Sequence, residues 1–528
     1  MVKDSNYVTL YDSTLRDGSQ MRGVNFTLAD KTAIAKALDD FGIDYIEGGW
    51  PGANPKDDAF FQHPPSLKMS KITAFGMTRR PGRSASNDPG LNELINQQCD
   101  HICIVGKAWD FHIEKALEIS LEDNRAMIAD SIKEIVRRGK TAMFDAEHYF
   151  DGYKKNPQVA LDMCKAAYEA GAEWIVLCDT NGGTLPHEIY TIVRATAHHV
   201  PASMLGIHCH NDTGNAVANS LAAVQAGARQ VQGTMNGIGE RCGNADLITI
   251  IPNLMLKLGF TTAISDDKLA ELTRLSRMID ERLDRTPHIH APYVGEAAFA
   301  HKGGLHVSAM AKSTESYEHI KPEQVGNSRH ILVSDKAGRA NIITRLKDFD
   351  IEVDAKDTRI NSLVAVVKDY ETQGYAYESA DASFELLARR HLGSVPDYFT
   401  IESFRVMDER RWNAMGDLAT MSEATIKLMV EGNRVLQVGE GNGPVNALDG
   451  ALREALSSYY PTLKSMRLTD YKVRILSPQQ ATAAVTRVTI ESQDEEGNIW
   501  NTLGVSPNVI DASYIALHDA ITYKLFKL

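Results

Sequence analysis

Positive charge, paired cysteines and long apolar runs are all scarce in this chain of 528 residues. With 69 acidic against 56 basic side chains the formal net charge is −13, so no basic face is expected to take up a nucleic-acid backbone. One phosphorylated ligand is not excluded by that balance, because it needs only a few local Lys and Arg residues. No run of about 18 apolar residues occurs and no apolar segment follows a basic start, so neither a membrane span nor a signal peptide is expected. The six cysteines (Cys99, Cys103, Cys164, Cys178, Cys209, Cys242) lie in the first half and form no CxxC pair. They read as buried thiols of a reducing, cytoplasmic compartment. A GxGxxG turn after the first strand is also missing, which argues against a doubly wound dinucleotide fold.

What is present is an alternation. Strand-like runs occur at Val8–Asp12, Tyr45–Glu47, Ile72–Phe75, His101–Val105, Thr141–Asp145, Trp174–Cys178, Leu205–His208 and Gln230–Thr234. Amphipathic helical segments lie between them, such as Leu28–Phe41, Leu121–Arg138, Gln158–Ala170, Glu188–His199 and Ala216–Ala226. Thr27 is placed to cap the first of these, with Asp30 in its opening turn. Eight strand–helix pairs within about 250 residues predict a closed (β/α)₈ barrel over residues 1–260. Residues 261–390 read as helical linker subdomains that cover the barrel mouth. From 391 to 528 the texture is strand-rich and repeats itself. Glu431-Gly432-Asn433 leads through a strand to Gly439 and then a helix, and Glu496-Gly497-Asn498 leads likewise to Gly504 and a helix. The spacing predicts a duplicated α+β (βββα)₂ domain suited to dimerisation or small-ligand regulation.

Polar residues gather at the carboxyl ends of the predicted strands, the face on which barrel enzymes build their sites. In LGIHCHNDTGNAVA (205–218), His208 and His210 stand two apart on a strand, so both imidazoles project to one side and Cys209 to the other. TLYDSTLRDGSQ (9–20) ends a strand in Arg16 and Asp17. Two imidazoles and a carboxylate suit Zn²⁺, Mn²⁺ or Co²⁺, and Mg²⁺ when water completes the shell. Asn244, in GIGERCGN (237–244), is either a fourth ligand or a helix N-cap. Arg16 is either an ion-pair partner of Asp17 or a guanidinium that steadies an enolate or carbonyl oxygen. Glu147, in MFDAEHYF (143–150), suits a general base or a substrate-orienting group. Thr180, in VLCDT (176–180), suits a hydrogen bond to a substrate carboxylate or carbonyl. His306, in KGGLH (302–306), is either a surface histidine or one carried over the barrel mouth on a Gly-flexible segment.

Together, TLRDGSQ, HCHNDTGNAVAN and GIGERCGN, followed by a linker and a duplicated terminal domain, resemble the metal-dependent acyltransferases that condense acetyl-CoA with a 2-oxo acid. That family contains 2-isopropylmalate, homocitrate and citramalate synthases. IEGGWPGANPKDDAFF (46–61) is similar to the citramalate branch, whose 2-oxo acid is pyruvate and whose end-product effector would be isoleucine. The resemblance implies metal ligation by Asp17, His208, His210 and Asn244. It implies charge stabilisation by Arg16, a role near the reacting acyl group for Glu147, a substrate contact for Thr180 and proton transfer by His306. It also implies a homodimer and a Claisen condensation followed by thioester hydrolysis. Two positions depart from the pattern: Ser19 stands where many members carry an acidic residue, and Ser308 replaces the acid of a His-x-Asp linker motif.

Alternative readings are 2-isopropylmalate synthesis from 2-oxoisovalerate, a lyase or aldolase of the HMG-CoA lyase type, and a non-catalytic amino-acid sensor on a metal barrel. The terminal duplication argues against the lyases, and the intact Asp17, His208, His210, Arg16 and Glu147 argue against the sensor.

Overall fold

The computed structural model describes residues 6–310, 312–331, 338–354, 356–393, 395–412, 418–476 and 484–527. Ala311, inside the predicted helical linker 261–390, lies outside the described residues. The chain forms two compact units. One runs to Phe299 and takes in His319–Arg329; the other comprises Ala300–Glu318 and the chain from His330 onward.

The first unit is built on eight parallel strands: β1 (Thr9–Asp12), β2 (Tyr45–Gly49), β3 (Lys71–Met77), β4 (His101–Lys107), β5 (Thr141–Glu147), β6 (Trp174–Asp179), β7 (Leu205–Cys209) and β8 (Gln230–Gly233). They follow chain order and close through pairing of β8 with β1, giving the expected (β/α)₈ barrel. The helix Leu28–Phe41 opens at the predicted cap, where Thr27 and Asp30 satisfy each other's backbone N–H groups.

Alternation along each strand sorts the apolar residues into two shells. Leu10, Ile46, Ala74, Ile102, Phe144, Ile175, Ile207 and Val231 belong to the large core shared with the helices. Their neighbours Tyr11, Tyr45, Phe75, Cys103, Met143, Trp174, Val176 and Cys178 pack together as a separate cluster, filling the barrel as side chains do in this architecture. Cys209 joins the helix-side shell, opposite to the histidines that flank it, as alternation requires. Burial pushes the thiols of Cys103, Cys178 and Cys209 well above their ordinary value, so they remain protonated and inert.

The barrel unit extends past the predicted boundary at residue 260. Tyr293, Phe299 and Val325 share its core, and the Asn327 side chain donates to the carbonyls of Tyr293 and Gly295 at 2.9 Å each. Two segments of the predicted linker, 261–299 and 319–329, therefore belong to the barrel unit, held by apolar burial and a buried amide.

In the second unit β9 (Ala300–His301) pairs in parallel with β10 (His330–Ile331). The helices Arg339–Asp348, Arg359–Thr372 and Asp381–Leu392 share a core with Leu503 and Val505. Then come two antiparallel sheets, each followed by a helix. The first is β11 (Phe399–Trp412), β12 (Leu418–Val430) and β13 (Asn433–Gly441) with the helix Pro444–Ser457. The second is β14 (Arg467–Ile475), β15 (Thr486–Gln493) and β16 (Ile499–Ser506) with the helix Val509–Lys527. This is the expected duplication, and one apolar core is common to both copies. The repeated glycines have a packing reason. A Cβ at Gly439 would lie 2.6 Å from the Ala451 backbone nitrogen, and one at Gly504 would lie 2.0 Å from the Ala512 carbonyl. Each copy thus seats its helix directly on a bare strand backbone.

Candidate active site

At the carboxyl end of the barrel the inward-facing positions turn from apolar to polar. Along the chain the switch reads Tyr11 to Ser13, Tyr45 to Glu47, Val105 to Lys107, Met143 to Asp145 and Glu147, and Val176 through Cys178 to Thr180. On β7 and β8 the same face supplies His208, His210 and Gln232. A cavity of roughly 360 Å³ opens there, with Trp50, Phe75, Val105 and Cys178 on its apolar side. Arg16, Asp17, Lys107, Asp145, Glu147, Thr180, His208 and His210 supply its polar side.

Asp17, His208 and His210 each offer a ligand atom, and the three atoms lie within 4.8 Å of one another. All three residues are buried, and no other cluster of this kind occurs among the described residues. His208 Nε2 stands 3.3 Å from Asp17 Oδ2. Burial opposes ionisation of Asp17, but the Arg16 guanidinium and His208 overcome it and hold the carboxyl far below its ordinary range. His210 is pushed down to about 4, first by burial and then by His208, which keeps its imidazole neutral and able to ligate.

Two buried atoms fit an ion at this place. Asn244 Oδ1 and His210 Nδ1 have no hydrogen-bond partner, although buried polar atoms are almost always paired. A backbone bridge sets Asn244 beside His210, and its own N–H donates to the Gly237 carbonyl at 3.1 Å as the turn 237–243 folds back. Gly239 makes this possible: at φ 159° its missing Cβ would sit 2.1 Å from Asn244 Nδ2. Asn244 is not a helix cap. Asp246 caps the helix Leu247–Pro252, accepting from the Ile248 N–H at 3.1 Å. The donor set of two imidazoles, a carboxylate and an amide oxygen suits a divalent cation.

Arg16 makes the Asp17 contact that one sequence reading named, and two that neither reading named. Its Nη1 lies 3.5 Å from Asp17, its Nε donates to Glu47 at 2.7 Å, and its guanidinium stacks 3.8 Å above the Phe75 ring. Glu47 is fully buried and also accepts from the Tyr11 and Ser13 hydroxyls. The fork is therefore fixed on one side and faces the cavity on the other. Glu147 accepts a charge-assisted bond from Lys107 Nζ. Thr180 Oγ1 accepts the His148 backbone N–H at 2.9 Å, which leaves the hydroxyl proton free to donate into the cavity. His306 lies in the second unit on the helix Gly304–Met310, exposed, with its ring stacked on Tyr317 at 4.1 Å.

Sequence reasoning singled out no role for Lys107, Asp145 or Gln232. Alternation was the available signal. Asp145 precedes Glu147 by two on β5, Lys107 ends β4, and Gln232 lies beside His208 in the register of β7 and β8.

Three family models divide the chain. An HMGL-like model matches residues 7–279, a homocitrate synthase post-HMGL domain-like model matches 293–374, and a LeuA allosteric (dimerisation) domain matches 378–525. An (R)-citramalate synthase of Aquifex aeolicus (strain VF5) is 52% identical over 98% of each chain. One of Geobacter sulfurreducens is 51% identical, again over 98% of each. A probable 2-isopropylmalate synthase of Methanopyrus kandleri is 32% identical over 96% of each. Since the likeness spans the barrel, the intervening segment and the terminal module alike, and runs well above that to the 2-isopropylmalate branch, the chain belongs to the (R)-citramalate synthase family of HMGL-like proteins.

Proposed function

We propose that this chain condenses acetyl-CoA with pyruvate and hydrolyses the resulting thioester, releasing citramalate and CoA. The observation that carries the reading is the convergence of Asp17, His208 and His210 beside Arg16 in a single cavity. A divalent ion held by Asp17, His208 and His210, with Asn244 Oδ1 as a further donor, would supply Lewis-acid polarisation of a 2-oxo acid. Mn²⁺, Zn²⁺, Co²⁺ and a water-completed Mg²⁺ all suit that donor set.

The remaining chemistry falls to the chain's own groups. Thr180, its oxygen already occupied by the His148 N–H, donates its proton to the carboxylate or carbonyl of the acceptor. Glu147 or His306 takes a methyl proton from the acetyl group, directly or through water. The Lys107 ammonium keeps the Glu147 carboxylate turned toward the cavity. Arg16, immobilised by Glu47 and Phe75, meets the negative charge that appears on the former keto oxygen without reorganising. The narrow apolar wall of Trp50, Phe75, Val105 and Cys178 suits a methyl group.

The terminal module is assigned to homodimerisation and to binding an end-product amino acid, isoleucine. Its match to a LeuA allosteric (dimerisation) domain supports this. Six free cysteines, five of them buried, suit a reducing cytoplasm.

The test is release of CoA thiol from acetyl-CoA with added Mn²⁺ or Mg²⁺, across pyruvate, 2-oxoisovalerate, 2-oxobutyrate and 2-oxoglutarate. Strong release with pyruvate alone is expected. Preference for 2-oxoisovalerate would transfer the chain to 2-isopropylmalate synthesis, and silence with every acceptor would overturn the condensing role.

A further inference from the structure

Behind the metal-competent triad lies a short buried chain of hydrogen bonds. His208 Nδ1 is 2.9 Å from Gln232 Oε1, and Gln232 Nε2 donates to Asp145 Oδ1 at 3.1 Å. Gln232 is fully buried, Asp145 and His208 nearly so. The three residues come from β8, β5 and β7, so the line crosses the barrel interior beneath the ligands.

The order of donors along this line is fixed by its far end. A carboxylate accepts and does not donate, so the Gln232 amide must turn its NH₂ toward Asp145. Its carbonyl oxygen then faces His208, and an oxygen can only accept. The Nδ1 of His208 must therefore carry a proton, so the neutral ring is the Nδ1–H tautomer, with Nε2, 3.3 Å from Asp17 Oδ2, as the nitrogen open to an ion. A ring nitrogen ligates through its lone pair, so this tautomer is the one competent to bind a metal. If the amide were turned over, its NH₂ would face Nδ1, demand a lone pair there and move the proton to Nε2.

We infer that Gln232 is a positioning residue for the metal, with Asp145 orienting its amide so that His208 keeps a proton on Nδ1 and turns Nε2 toward the ion. The inference rests on the metal reading of Asp17, His208 and His210 given above. It concerns binding of the ion, so it can be examined without turnover.

The experiment is Mn²⁺ binding to the metal-free full-length protein, followed by calorimetry and by the EPR signal of free Mn²⁺. Wild type, His208→Ala, Gln232→Met and Asp145→Asn are compared, with the thermal unfolding of each metal-free protein recorded. Gln232→Met keeps the volume but removes the acceptor, and the expected result is about a 10- to 100-fold weaker Kd, the range typical for losing a hydrogen-bond partner of a ligating histidine. Asp145→Asn retains an acceptor oxygen, and its Kd should stay within about threefold of wild type, well short of that 10- to 100-fold loss. Should Gln232→Met fold poorly, Gln232→Asn withdraws the same amide from His208 and carries the same expectation. Wild-type Mn²⁺ affinity in a folded Gln232 variant overturns the inference. Absence of Mn²⁺ binding by the wild type, or its persistence in His208→Ala, sinks instead the metal reading on which the inference stands.

Discussion

Asn244 pairs its backbone with His210 in an antiparallel bridge, and the same residue buries a side-chain oxygen that no hydrogen bond satisfies. The bridge sets Asn244 beside His210, one member of a triad otherwise drawn from two strand ends. Its cost in the metal-free protein is the desolvation of that oxygen, about 1–3 kcal/mol.

This sets an unusual expectation for Asn244→Ala. Only the long 3.3 Å bond to the Ile238 carbonyl is lost, and an unsatisfied oxygen goes with it. Thermal unfolding of the metal-free variant should match wild type, whereas Mn²⁺ affinity measured by calorimetry should fall about tenfold or more. Equal affinity would remove Asn244 from the ligand set.

Glu147 and Lys107 form the pair at the cavity rim that bears on proton transfer. Glu147→Gln is expected to lower kcat by about 10²–10⁴-fold with little change in Mn²⁺ binding. Lys107→Met should lower kcat less. If His306→Asn causes the larger loss and Glu147→Gln almost none, the proton is handled by His306.

At the opposite end of the barrel His101 begins β4, packed edge-on against Tyr45 at 5.5 Å. Burial, and then the nearby Lys71, push its imidazole down to about 4. The unfolded chain takes up this proton near pH 6.5 and the folded chain does not until near pH 4. Between those values the unfolded state binds more protons, so stability falls as the pH drops from about 6.5 to 4. Urea midpoints across that window should decline less steeply for His101→Gln than for wild type. Parallel curves would refute the assignment.

Two glycines of the terminal module should respond in opposite directions. Gly504→Ala drives a methyl against the Ala512 carbonyl and should destabilise the second unit by about 1–3 kcal/mol. Gly450 lies within the helix Pro444–Ser457, and a Cβ there meets nothing nearer than the Glu440 carbonyl at 4.0 Å. Gly450→Ala should therefore stabilise by about 0.5–1 kcal/mol through helix propensity. Urea unfolding of the full chain, read through the second unit's transition, separates the two.

Much of this was legible before folding. The eight strands fall within two residues of their expected bounds because a period of two and a period of 3.6 are properties of short segments. His208 and His210 converge for the same local reason, and Asp17 meets them because Arg16-Asp17 follows β1, which closes the barrel beside β8. The duplicated module was readable from the recurring Gly439 and Gly504, since each repeat needs a bare strand under its own helix.

Other relationships were decided only by the tertiary structure. Gln232 meets Asp145 across 87 residues of sequence, Glu147 meets Lys107 across 40, and Glu47 fixes Arg16 from a neighbouring strand. Asn244 becomes a ligand candidate rather than a cap because the 237–243 turn doubles back. His319–Arg329 joins the barrel unit although residues 300–318 leave it. In each case the partner is set by the stagger of a closed sheet or by the route of a returning loop. Sequence periodicity fixes which face a side chain takes, whereas the residue it meets there depends on how distant strands are brought into register.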